Sequence, residues 1–289
     1  MSKPRLAISF SGGTSSAVML KMCLDKYRDT HDILITFANT GCEHEETLRF
    51  VDAVDRHFTG GQVVWIEAVI HPGRKGPTAK VVEYQSASRN GEPFEAAIAK
   101  HGVPCKTHPQ CTSRLKEEPM ISYRRSVGWE AGSYETAIGI RADEIDRCSS
   151  KAQEKRFIYP LVEEGMTVES VERFMAPYPW RLQLPHKAYG NCVWCWKKSR
   201  RKLLTLAQED PSIFDFPGMM ERKYGMVSNG KPNEEPRVFF RGRDSAQDIL
   251  KQAQTEIFEP YRDAAYHKFD PDLDVGAGCG ESCEVGGDD

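Results

Sequence analysis

The feature that most constrains this chain is an alternation in its first half. Short runs of apolar, largely β-branched residues are each followed by a stretch with helical periodicity. Residues 6–10 (Leu-Ala-Ile-Ser-Phe) read as a buried strand, followed by a glycine-rich turn and a helical pattern through Leu20 and Leu24. Residues 33–37 (Ile-Leu-Ile-Thr-Phe) form a second such run, ending in Asn39-Thr40-Gly41. A helix then carries Leu48, Val51, Val54 and Phe58 on one face at spacings of three and four. Residues 63–66 and 137–140 supply a third and a fourth strand. Continuous apolar strands separated by helices need both sheet faces covered, which predicts an α/β fold with a doubly wound parallel sheet.

With 289 residues the chain has room for one large domain or one with an appendage. Residues 71–104, rich in Gly, Pro, Lys and Ser, read as a loop with a short helix near 94–99. Prolines at 177, 179 and 185 interrupt the pattern. Residues 191–262 then look mostly helical, with an irregular section at 217–236. The expected division is an α/β domain over 1–175, a helical portion over 176–268 and an acidic, mobile tail over 269–289.

Basic residues number 39 and acidic ones 42, for a formal net charge of −3, which excludes a strongly basic nucleic-acid-binding coat. No apolar run approaches the ~20 residues of a membrane span, and the N-terminus lacks a signal-peptide pattern. A cytoplasmic protein is expected. Its nine cysteines, at 23, 42, 105, 111, 148, 192, 195, 279 and 283, then argue for metal binding or redox chemistry over a disulfide framework.

Ser11-Gly12-Gly13-Thr14-Ser15-Ser16 follows the first strand and opens a helix. Two glycines allow close backbone approach to an anion, and free N–H groups at the helix start favour phosphate. The Gly-Lys-Ser/Thr ending of a Walker loop is missing. The turn resembles the pyrophosphatase loop of the adenine nucleotide α-hydrolase superfamily, with Ser15 where many members carry Asp. Three further segments resemble the phosphoadenosine phosphosulfate (PAPS) reductase branch. These are Asn39-Thr40-Gly41 with Glu46-Thr47, Lys116-Glu117-Glu118-Pro119-Met120, and the stretch from Gly139 through Arg141 to Arg147. The combination with Gly190-Asn191-Cys192 is similar to phage-type PAPS-reductase-like proteins. The resemblance implies an adenine nucleotide (PAPS, adenylyl sulfate (APS) or ATP) at residues 11–16, 39–41, Arg141 and Arg147. Lys116 and Arg141 would meet its phosphate or sulfate. Asp143 and Glu144 can orient the arginines or a Mg2+ ion.

Cys192-Val193-Trp194-Cys195 is a Cys-x-x-Cys, and Cys105 with Cys111 supplies a second pair. Four thiolates on two loops suit a structural zinc or a 4Fe-4S cluster, and thiolate geometry alone does not choose between them. The layout resembles that of APS reductases, whose cysteine pair is adjacent where this one is split. Cys23 falls in an apolar helical stripe and Cys42 reads as a bystander. Sulfonucleotide reductases attack sulfur with a cysteine on a C-terminal tail, and Cys279 stands in a similar position, followed by Cys283.

The resemblance therefore implies an oxidoreductase that reduces an adenylyl sulfate to sulfite, with an external thiol such as thioredoxin. The alternative is an ATP-dependent sulfur transferase acting on a tRNA or DNA base. For that reading, the run Lys197-Lys198-Ser199-Arg200-Arg201-Lys202 would attract a phosphate backbone.

Overall fold

The computed structural model describes residues 3–227 and 235–263. Cys279 and Cys283 lie outside the described residues. Six strands form one sheet in the order β4-β3-β2-β1-β5-β6. Strand β1 (Arg5–Ser9) pairs in parallel with β2 (Asp32–Asn39) on one side and with β5 (Glu135–Ala137) on the other. Strand β3 (Val63–Val69) continues the parallel side, and β6 (Phe157–Ile158) closes the far edge.

Two outcomes differ from the expectations. The stretch read as a loop contains β4 (Thr78–Val82), paired antiparallel with β3, ahead of the helix expected near 94–99, which runs over Glu92–His101. Lys80 and Val81 of β4 are exposed, as an edge strand allows. The strand expected at 137–140 ends earlier, at Ala137. From there Ile138 only donates its N–H to Ile158 O (3.1 Å) before the chain turns into the loop of Arg141.

Helices cover both faces. The alternation of β1 sends Leu6 and Ile8 into a core built with α1 (Thr14–Tyr27) and α2 (Glu45–Val54). Ala7 faces the other way, against Trp129 and Tyr134. In chain order, α3 (Glu92–His101) and α4 (Glu118–Ser126) follow, the latter setting Met120 against Ala38 and Ile66. Short helices α5 (Ala152–Lys155) and α6 (Pro160–Glu163) lead to α7 (Val168–Met175), whose Val171 and Met175 join the α1 core.

Helices α8 (Arg200–Glu209), α9 (Asp215–Tyr224) and α10 (Ala246–Thr255) form the helical C-terminal part. Their core is continuous with Phe94, Ile98 and Leu115 of the first half. Trp194, inside the Cys-x-x-Cys, anchors it: its ring stacks on Phe216 (5.4 Å) and meets Phe94 and Phe239 edge-on at 5.0 Å each. An aromatic cluster of this kind adds geometric specificity to burial.

Because β2 and β5 flank β1, the chain leaves β1 toward one side of the sheet and later returns on the other. The carboxyl ends of β1 and β5 therefore border the switch point, where α/β sheets bind ligands.

Candidate active site

The turn after β1 is held by its own hydroxyls. Ser16 Oγ donates to Gly13 O (2.9 Å) and lies 2.9 Å from Ser11 Oγ, which donates to it. Gly12 sits at φ +83°, and a Cβ there would meet Phe37, Thr47 and Val51 at 3.1 Å, so glycine is required on both counts. Gly13 caps α1 without a side-chain hydrogen bond, and the first turn of α1 carries no acidic residue. The first N–H groups of α1 thus make a helix start suited to an anion.

Arg141 reaches this turn from the β5 side. Its Nη1 donates to Ser15 Oγ at 3.0 Å, and its Nε donates to Asp143 Oδ1 at 3.1 Å. Glu144 lies 3.4 Å from Arg141 Nη2 and accepts from Arg147 Nη1 at 2.5 Å. The two arginines, both nearly buried, share one carboxylate. Asp143 and Glu144 serve here to orient guanidinium groups, one of the two roles expected for them.

The Asn39-Thr40-Gly41 turn is a structural joint as much as a wall of the site. Buried Asn39 donates Nδ2 to Glu67 Oε1 (2.8 Å) and Ser88 O (2.9 Å), and accepts from Gly41 N–H (3.1 Å). Its side chain is thus committed to the scaffold. Thr40 Oγ1 donates to Glu43 Oε1 (2.8 Å) and stands 3.4 Å from Cys192 Sγ. Val193 N–H donates to Cys42 O at 3.0 Å, so the turn after β2 docks directly on the Cys-x-x-Cys turn. Gly41, at φ +79°, has Gly91 N where a Cβ would come within 3.0 Å.

Cys111, Cys192 and Cys195 line one cavity of ≈ 20 Å³ together with Lys116 and Thr40. Lys116 comes from a π-helical turn, Ser113–Glu117, and is buried. Burial and the neighbouring Glu43 push the Cys192 thiol well above its ordinary pKa, while the Lys116 charge opposes that shift. Burial also pushes Cys42 up, and it packs in the same apolar cluster as Cys192 and Cys195.

Cys105 does not line this cavity. It sits in a turn closed by its own backbone pairing with His108, its Sγ 3.3 Å from Thr107 Oγ1. Among the described residues, no three His, Cys, Asp or Glu side chains converge closely enough to hold a metal ion as they stand. The donor set, three thiols around one cavity with a fourth on the neighbouring loop, nonetheless suits a thiophilic ion or cluster in kind.

Sequence reasoning missed the role of Lys198. Its buried ammonium donates to Gly190 O and Cys192 O at 2.8 Å each, tying the Cys-x-x-Cys turn from beneath. Its position three residues after Cys195 was the available signal. Three more residues of the basic run make local contacts. Lys197 lies over Trp196 (5.6 Å), Arg200 pairs with Glu256 (2.5 Å), and Lys202 lies over Tyr261 (5.3 Å). Glu43 and Glu67 were also missed, being acids that act through backbone and amide groups of the turns they hold.

The phosphoadenosine phosphosulfate reductase domain model matches residues 5–157. The chain belongs to that family. It is also 31% identical over 291 residues to an uncharacterized nin region protein of Escherichia phage lambda, covering 97% of this chain and 94% of that protein. An uncharacterized protein of Methanocaldococcus jannaschii is 22% identical over 242 residues, covering 78% of this chain and 43% of that one. The family match spans β1 through the start of β6, and so includes the glycine-rich turn, the Asn-Thr-Gly turn, Lys116 and the Arg141 loop. No helix among the described residues is long and apolar enough to cross a membrane.

Proposed function

We propose that this PAPS reductase-family chain reduces an adenylyl sulfate, PAPS or APS, to sulfite. The observation that carries the reading is the Arg141–Ser15 hydrogen bond, which brings the arginine loop onto the glycine-rich turn at the switch point. The nucleotide's phosphate would lie on the N–H groups of residues 12–16. Arg141, already oriented by Asp143, would meet the sulfate or phosphate oxygens with its planar donor fork. Arg147 supports the same pocket through Glu144.

The Cys279 thiolate would attack the sulfate sulfur. The new S–S bond forms as the S–O bond to the nucleotide phosphate breaks, and the nucleotide leaves with that electron pair. The product is an S-sulfocysteine. A thiol of an external dithiol reductant then attacks the cysteine sulfur, expelling sulfite with the S–S bonding pair. The second thiol of the reductant resolves the mixed disulfide and leaves oxidised.

Cys111, Cys192 and Cys195, with Cys105 as fourth ligand, would hold a 4Fe-4S cluster or a zinc ion. Bound there by four thiolates, the group would be net negative, would be met by the Lys116 ammonium and would fix the geometry of the loops. The alternative is an ATP-dependent sulfur transferase thiolating a tRNA or DNA base, for which Lys197, Arg200, Arg201 and Lys202 of the basic run are partly accessible.

Single-turnover reaction with PAPS or APS labelled in its sulfate tests the assignment. Label should remain on the protein until a dithiol is added, and Cys279→Ser should accept none while still binding nucleotide. Label transfer to Cys279→Ser at the wild-type rate would remove Cys279 from the reaction.

A further inference from the structure

A second and larger cavity, of ≈ 420 Å³, opens between α7 and the segment 181–190. It falls within the size range of small-molecule sites. One wall is apolar, formed by Val171 and Met175 of α7 with Leu182 opposite. Thr14, the exposed-side residue of the glycine-rich turn, lines one end. The cavity is thus adjacent to the phosphate position yet separate from the thiol-lined one.

Two cations, Arg181 and Lys187, and two acids, Glu172 and Asp263, line it, and both acids are engaged at Lys187. Lys187 Nζ pairs with Glu172 Oε1 at 2.8 Å, and the Lys187 N–H donates to Asp263 Oδ1 at 2.9 Å. Arg181 has no such partner among the described residues: its guanidinium makes one weak contact, to Ala176 O at 3.4 Å. His186 adds a fixed polar group. Its Nε2 is 2.8 Å from Glu209 Oε2, which also accepts from Tyr189 OH at 3.2 Å. Its Nδ1 is buried and meets no hydrogen-bond partner among the described residues.

We infer that this cavity binds a second ligand, a small organic anion with an apolar body, its charge met by Arg181 and its body seated on α7. Thr14 places that ligand next to the nucleotide, and this adjacency rests on the function proposed above. The binding itself does not.

The test uses 8-anilinonaphthalene-1-sulfonate, an apolar body carrying one sulfonate, titrated into the full chain by fluorescence. Saturable binding is expected, weakened about tenfold by Arg181→Ala through loss of one charge-assisted contact. Ala176→Trp, at the exposed end of α7, should block the cavity and abolish binding without touching the core. Circular dichroism checks that both variants fold, and Arg181→Glu provides a second charge variant. Absence of saturable binding to the wild type would overturn the proposal, as would affinities within about twofold of wild type in all variants. AMP binding, followed in parallel by equilibrium dialysis, reports on the nucleotide site alone, so the two readings fail separately.

Discussion

Arg141 Nη1 and Ser15 Oγ, 126 positions apart in sequence, stand 3.0 Å from one another across the switch point of the sheet. This contact joins the loop after β5 to the start of α1. At Ser15 a neutral hydroxyl accepts from a guanidinium whose charge is already met by Asp143 and Glu144. Arg141→Met should weaken adenine-nucleotide binding at least about tenfold, measured by equilibrium dialysis. It should also cost roughly 3 kcal/mol of stability in urea unfolding, since Asp143 and Glu144 lose a buried partner. An unchanged nucleotide affinity in a folded Arg141→Met would separate this loop from the ligand.

Gly12 is constrained by conformation and by space together. At φ +83°, with Phe37, Thr47 and Val51 each 3.1 Å from any Cβ, Gly12→Ala should destabilise the chain by about 2 kcal/mol. Chemical denaturation checks this, and a change below the error of the midpoint would show that the turn relaxes freely.

Lys198 holds two carbonyl oxygens of the Cys-x-x-Cys region. Lys198→Met should lose about 2 kcal/mol through those bonds and, on the cluster or zinc site proposed above, reduce the metal content of anaerobically purified protein. Elemental analysis alongside unfolding distinguishes the effects. Normal metal content with normal stability would show that the turn stands without this support.

The thiol of Cys23 is buried among α1 residues, and burial raises its pKa from 9.0 to about 12. The folded state therefore holds this proton over a range where the unfolded state has lost it. Stability from this group is full below pH 9 and falls as pH rises toward the folded value, at no more than about 1.4 kcal/mol per pH unit. Cys23→Ala should flatten the alkaline limb of the stability curve, measured by denaturation at successive pH values. An identical slope in the variant would assign that limb to other groups.

Much of the architecture was legible because the central strands are buried on both faces and read as unbroken apolar runs. Strand β4 was not, since Thr78, Ala79 and Lys80 alternate as an edge strand does and lie in a Gly/Pro-rich stretch. The turns at Ser11–Ser16 and Asn39–Gly41 announced themselves by their glycines at strand ends. What those residues do was less visible. Asn39 is bound by Glu67 and Ser88, which come from β3 and the segment after β4, and no local spacing reveals that contact. The contacts of the basic run at 197–202 were hidden for the same reason. Its partners Glu256 and Tyr261 arrive nearly 60 residues later, when α10 and the chain beyond it fold back.

The most direct measurement is a product assay on anaerobically purified full-length protein given PAPS, APS or ATP separately, each with a dithiol. Sulfite should appear with adenosine 3′,5′-bisphosphate or AMP from one of the two sulfated nucleotides, and ATP should remain intact. Pyrophosphate and AMP from ATP, with no sulfite from PAPS or APS, would contradict sulfonucleotide reduction and place the chain among adenylating enzymes.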